Sequence, residues 1–185
     1  MAALETPVCD FDLPAPAFDL PGVDGQRHSL QQLRGENGTL VMFICNHCPF
    51  VRSAIDRIIR DARDLASAGV NTIAIMSNDT EAYPADSFDN MVAWSREHEF
   101  PFPYLLDADQ SVARAYGAVC TPDFFGYNAD LGLQYRGRLD DGRTGQPTAG
   151  AKRELYEAMA AIAATGRGPA QQVPSIGCSL KWRDS

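Results

Sequence analysis

"TLVMFICNHCPFVR", residues 39–52, joins an apolar run to a pair of cysteines and then to a helical pattern. The run Thr39–Ile44 is continuous and rich in apolar residues, with no polar alternation, so it reads as a central buried strand. Beyond it, Val51, Ala54, Ile55, Ile58, Ile59, Ala62, Leu65 and Ala66 recur at helical spacing on one face of a long helix, which Gly69 ends. Pro49 suits the first turn of that helix, where its missing N–H has no intrahelical use. Cys45 and Cys48 therefore sit where a buried strand passes into a helix N-terminus.

That position has chemical consequences. The first turn of a helix presents unpaired N–H groups and a partial positive charge. Both stabilise a thiolate more than a thiol, so a cysteine there is more acidic than in free solution. A spacing of two residues also lets one sulfur reach the other. His47 lies between them and adds a charge that favours the thiolate. Metal binding is the competing use of a CxxC, but a structural zinc site needs a second ligand pair. No second CxxC, HxxxH or CxxH occurs, and His28 and His98 are isolated. The expectation is redox chemistry with no metal and no cofactor.

The rest of the chain fits one α/β domain of 185 residues, with an irregular lead-in at 1–17 and an aperiodic tail at 167–185. Phe18–Leu30 reads as a hairpin, Asn71–Ser77 as a second buried strand, and residues 86–98 as a helix. Pro103–Asp107 is short and extended, and Asp109 reads as the N-cap of a helix closed by Gly117. A second hairpin surrounds Asn128–Gly132, and a last helix spans 151–164 before Gly166. Asp107, Asp140 and Asp141 look like caps and turns rather than acid–base groups.

Composition narrows the partners. Sixteen basic and 24 acidic residues give a net charge of −8, which offers no attraction to nucleic acid or anionic membrane. The longest apolar run is too short to span a bilayer, and the first residues carry no basic-then-apolar signal. Five cysteines at irregular spacing do not suggest a secreted disulfide framework. The cytoplasm is the expected location. Composition names no oligomeric state.

Four segments carry a family resemblance: "CNHCPFV" (Cys45–Val51), "YGAVCTPDFF" (Tyr116–Phe125), "YRGRLDD" (Tyr135–Asp141) and "GCSLKW" (Gly177–Trp182). In this order they resemble the thioredoxin-like superfamily, in its alkyl hydroperoxide reductase and thiol-specific antioxidant (redoxin) branch, and within it a bacterial subset with the CNHCPFV motif. The resemblance implies a thioredoxin-like fold: a central mixed sheet flanked by helices, with an N-terminal hairpin extension. It also implies a cis Thr121–Pro122 peptide facing the CxxC, with that loop offering its backbone to an extended thiol substrate. The chain departs from thioredoxin at Ile44 and Asn46-His47, where thioredoxin carries Trp and Gly-Pro. It departs from the peroxiredoxin pattern Pro-x-x-x-Thr-x-x-Cys at Val41 and Cys45, and matches it at Cys48-Pro49.

The first functional expectation is a thiol–disulfide oxidoreductase. Cys45 is its nucleophile, Cys48 resolves the mixed disulfide, His47 tunes the thiolate and Pro122 orients the substrate. Thr121, Asn46 and Pro49 are the expected substrate contacts, with protein or small-molecule thiols and disulfides as partners. The alternatives are a peroxiredoxin-like peroxidase in which Cys48 attacks peroxide, and a non-enzymatic metal-binding or redox-sensing module. Cys120 and Cys178 are the further thiols of interest: Cys120 as a buried residue near the loop, Cys178 as a mobile thiol in the tail.

Overall fold

A computed structural model describes residues 2–183. Its centre is β4 (Gly38–Phe43), buried at every position, as a largely apolar strand between two layers must be. β4 lies parallel to β5 (Val70–Met76), which is parallel to β6 (Tyr104–Leu106). On its other side β4 pairs antiparallel with β8 (Asp123–Asn128), and β8 with β9 (Leu133–Tyr135). The result is a mixed five-stranded sheet, β6-β5-β4-β8-β9.

Alternation along β4 feeds two cores. Leu40, Met42 and Ile44 pack with α2 (Pro49–Ala66), α3 (Phe88–Glu97) and α5 (Glu154–Thr165). Val41 and Phe43 pack on the opposite face with the hairpin of β2 (Asp19–Pro21) and β3 (Arg27–Ser29) and with α4 (Ser111–Tyr116). A one-turn helix, α1 (Leu30–Leu33), follows the hairpin behind a Ser29–Gln32 capping box. On α2 the expected stripe is buried from Val51 to Leu65, while Ala66 at its end is exposed: Ile58 and Leu65 are 2% and 0% exposed, each contributing roughly 1.5–3 kcal/mol of burial. Gly166 ends α5 with a positive φ, as the sequence predicts.

Three expectations need correction. The lead-in is not wholly irregular: β1 (Ala3–Glu5) forms there, and Asp12 and Ala15 donate backbone hydrogen bonds to the β9 hairpin. The tail is not structureless: it contains β10 (Ile176–Ser179), placed between β1 and β7 (Cys120–Thr121) in a second, antiparallel sheet. Local periodicity carries no trace of either strand, because each is short and its partner lies at the far end of the chain. The N-cap of α4 is Gln110 rather than Asp109, and Asp107 takes the N–H groups of Val112 and Ala113. Asp107 is thus a cap, as read, and Asp140 turns toward Arg57 at 2.7 Å and takes the Gly142 N–H.

Candidate functional site: a dithiol under a tail strand

Pro49 starts α2 and makes Cys48 its N-cap residue, with Cys45 in the short link between the end of β4 at Phe43 and that cap. Both thiols are free, and both are buried, at 1% and 0% exposure. The Thr121–Pro122 peptide is cis, as the resemblance implies. Thr121 lies against both sulfurs. Its Oγ1 is 3.5 Å from Cys45 Sγ, and its carbonyl accepts from the Cys48 thiol at 3.1 Å.

The two sulfurs differ in charge. Cys48 is lowered to about 5: the Cys45 thiol donates to it, burial opposes, and the Cys178 thiol, Thr121 and the Val51 N–H add their hydrogen bonds. Strict geometry gives no side-chain cap bond at Cys48, so the Val51 amide acts as a nearby dipole rather than a formal cap. Once ionised, Cys48 cannot donate to the Thr121 carbonyl, and the thiols around it supply the stabilising contacts. Cys45 is pushed well up by its bond to Cys48, by burial and by the Asp86 carboxylate. The sequence assigns the nucleophile to Cys45, whereas the electrostatics of the pair favour the thiolate at Cys48. Helix position alone could not tell how the two sulfurs bond to each other, how deeply each is buried, or which faces a carboxylate.

Asp86 is the residue the sequence reading missed. It is fully buried in a single 3-10 turn (Pro84–Asp86), accepts the Asn46 N–H at 2.9 Å, and accepts from Asn78 Nδ2 at 2.9 Å. His47 Nδ1 lies 2.7 Å from Asp86 Oδ2 but out of line for a hydrogen bond, and its ring stacks on Tyr83. His47 therefore addresses Asp86 more closely than either sulfur. The donor atoms of Cys45, His47 and Asp86 lie within 4.8 Å of one another, so these three are the residues that could hold a metal ion, a set the expectation of no metal did not foresee. Nothing in the sequence links Asp86 to the motif: it is one acidic residue ahead of a serine-capped helix.

The other expected residues divide. Asn46 is not a free substrate contact: its Nδ2 donates to the Ala85 carbonyl, its Oδ1 accepts from the Tyr104 hydroxyl, and its own carbonyl is held by Arg52. Thr121 is buried and engaged by the sulfurs, whereas Pro49 is exposed. Pro122 borders a cleft of about 90 Å³ between Phe50 and Ala54 on one side and Ser175 and Ile176 on the other. Cys120 is buried and its thiol is pushed up by burial, as expected for a core cysteine. Cys178 is not mobile. It is fixed in β10 opposite Thr121, so the β7 backbone expected to receive a substrate strand is paired by the chain's own tail.

The AhpC/TSA family pattern matches residues 12–140, which span the hairpin, the CxxC and the cis-proline loop. The chain belongs to the AhpC/TSA family. Among curated proteins no sequence matches it. It is similar to the crystal structure of an uncharacterized conserved protein from Geobacillus kaustophilus, at 44% identity and a TM-score of 0.93 over 100% of this chain and 98% of that one. A hypothetical protein of Sinorhizobium meliloti 1021 is 36% identical with a TM-score of 0.89, covering 98% of both chains. A thiol:disulfide interchange protein of the thioredoxin family from Chlorobium tepidum TLS shares the fold at 23% identity and a TM-score of 0.57, over 68% of this chain and 84% of that one. The redoxin-branch, thioredoxin-like fold read from the motifs is the fold of this AhpC/TSA protein.

Proposed function

We propose that this AhpC/TSA protein is a thiol–disulfide oxidoreductase working through the Cys45–Cys48 couple. One observation carries the reading: two free, buried thiols stand together at the start of α2, and Thr121 of the cis-proline loop lies against both sulfurs. The Cys48 thiolate attacks a substrate disulfide, one substrate sulfur leaves as a thiolate, and a mixed disulfide forms on Cys48. Cys45 then attacks Cys48 Sγ, the second substrate thiolate leaves, and the proton of Cys45 passes to it. The protein is oxidised by two electrons to the Cys45–Cys48 disulfide, and the substrate is reduced to two thiols. The reverse sequence oxidises a dithiol. Cys48 opens the attack and Cys45 resolves it, the opposite of the order read from sequence.

Protein or small-molecule thiols and disulfides are the proposed partners, and the cytoplasm the proposed location, where a reducing pool returns the dithiol. The cleft at Pro122 is the proposed approach. The test is trapping with a small aromatic disulfide. Cys178 also touches Cys48, so it is replaced too. The Cys45→Ser, Cys178→Ser double variant should hold the adduct on Cys48, and Cys48→Ser should hold none. In the unmodified chain the alkylation rate of Cys48 should level off above about pH 5, where Cys48 is ionised. An adduct confined to Cys45 would sink the assignment.

A second reading has its own support. The sulfurs are 1% and 0% exposed, a burial that favours a small oxidant over a protein surface, and Cys48-Pro49 matches the end of the peroxiredoxin pattern. In that case Cys48 reduces a peroxide, becomes a sulfenic acid and condenses with Cys45, releasing water. Peroxide consumption with a dithiol reductant, set against reduction of a small disulfide, separates the two.

A further inference from the structure

We infer that Cys178 is a third exchanging thiol, which takes the disulfide from Cys45–Cys48 and carries it as Cys48–Cys178. The inference rests on the dithiol reading above and extends it to the tail strand.

Three observations place Cys178 for this role. First, the antiparallel register sets Cys178 directly opposite Thr121, the residue whose carbonyl and hydroxyl lie against the two motif sulfurs. Second, the Cys48 sulfur lies 3.1 Å from the carbonyl of Thr121, so Cys48 and Cys178 approach the same residue from α2 and from β10. Third, the strand is held close by more than its own ladder. A side chain at Gly177 would come within 2.1 Å of the Thr121 carbonyl oxygen, so only glycine allows this approach. The Ser175 hydroxyl donates to the Pro122 carbonyl at 2.9 Å, and β1 pairs with the far side of β10. At 5% exposure, Cys178 is a buried partner rather than a surface thiol.

The exchange balances without an added oxidant. Starting from the Cys45–Cys48 disulfide, the Cys178 sulfur attacks Cys48 Sγ. The Cys48–Cys178 bond forms, the Cys45–Cys48 bond breaks, and Cys45 leaves as a thiolate that takes the proton Cys178 gave up. One disulfide and one thiol are present before and after. The step frees Cys45 beside Asp86 and ties the tail strand covalently to the start of α2.

Disulfide mapping tests it. The Cys45→Ser variant is treated with a small aromatic disulfide, quenched in acid, alkylated under denaturing conditions and digested. The expected result is loss of both Cys48 and Cys178 from alkylation and recovery of a Cys48–Cys178 linked peptide within one chain. A stable adduct on Cys48 with Cys178 fully alkylated overturns the inference while leaving the dithiol reading intact. The double variant described above fails separately, by taking no adduct on Cys48. Wild-type protein oxidised by the same reagent serves where the variant does not fold or react: a Cys48–Cys178 peptide beside Cys45–Cys48 supports the relay, and Cys45–Cys48 alone overturns it.

Discussion

Asp86 and Asp123 are both fully buried carboxylates, and the protein treats them differently. Asp123, just after the cis-proline, faces Arg136 at 3.1 Å and takes the Val119 N–H, while the guanidinium also donates to Gly117 and lies over Phe125. Among the described residues no arginine pairs with Asp86. Its partners are a backbone amide, an asparagine amide and the imidazole of His47. An arginine keeps its charge at any working pH, whereas a histidine exchanges its proton in the physiological range. One carboxylate is locked into the fold. The other is left facing an imidazole and the Cys45 thiol it helps push up.

The largest effect expected from breaking this contrast is at Arg136. Arg136→Met strands the Asp123 carboxylate in the core and should cost about 3–5 kcal/mol in denaturant unfolding. A loss below about 1 kcal/mol would mean that Asp123 is not held as an ion by Arg136, and the contrast would collapse.

Asp86→Asn sharpens the other half. It keeps the shape, removes the charge and sets an NH2 against either the Asn78 amide or the Asn46 N–H. The expected stability cost is about 1–3 kcal/mol for one spoiled buried hydrogen bond. The Cys45 thiol should become easier to ionise, because a negative neighbour has gone. The alkylation profile of Cys45 in a Cys48→Ser background should therefore move to lower pH, and an unmoved profile would show that Asp86 does not reach the sulfur.

The smallest effect is a control at the surface. Arg27 and Asp19 form an ion pair with side chains 64% and 63% exposed. Arg27→Ala should change stability by about 0–1 kcal/mol, and less in high salt. A larger loss would mean that the hairpin depends on charge and not on the buried Leu20 and Leu30.

The sequence made the motif side of the site legible because its signals are local. Thr39–Ile44 and the stripe from Val51 to Leu65 announce a strand and a helix by period alone, and the cysteines fall between them. The covering side was not legible. Ala3–Glu5 is three exposed residues, and "IGCS" alternates too briefly to read as a strand. Their pairing, Ala3 with Cys178, joins positions that no window of sequence contains. Asp86 failed for the same reason: its partners are Asn46, His47 and Asn78, and only folding gathers them. The difference between the two sulfurs depends on their contact with each other, on burial and on Asp86, all of which only folding supplies.

The register of β10 works like a parity check. Side chains along a strand alternate between its faces, so a slip of one residue against β7 turns Cys178 away from Cys48 and offers Gly177 or Ser179 instead. A slip of two restores the face but presents Ile176 or Leu180, which carry no sulfur. The span 167–175 can therefore change length without altering which residue meets the dithiol, provided Gly177 still seats against the Thr121 carbonyl. One residue inserted between Gly177 and Cys178 cannot be absorbed in that way. What brings this thiol to the site is a count of residues from a glycine, written in a few positions near the end of the chain.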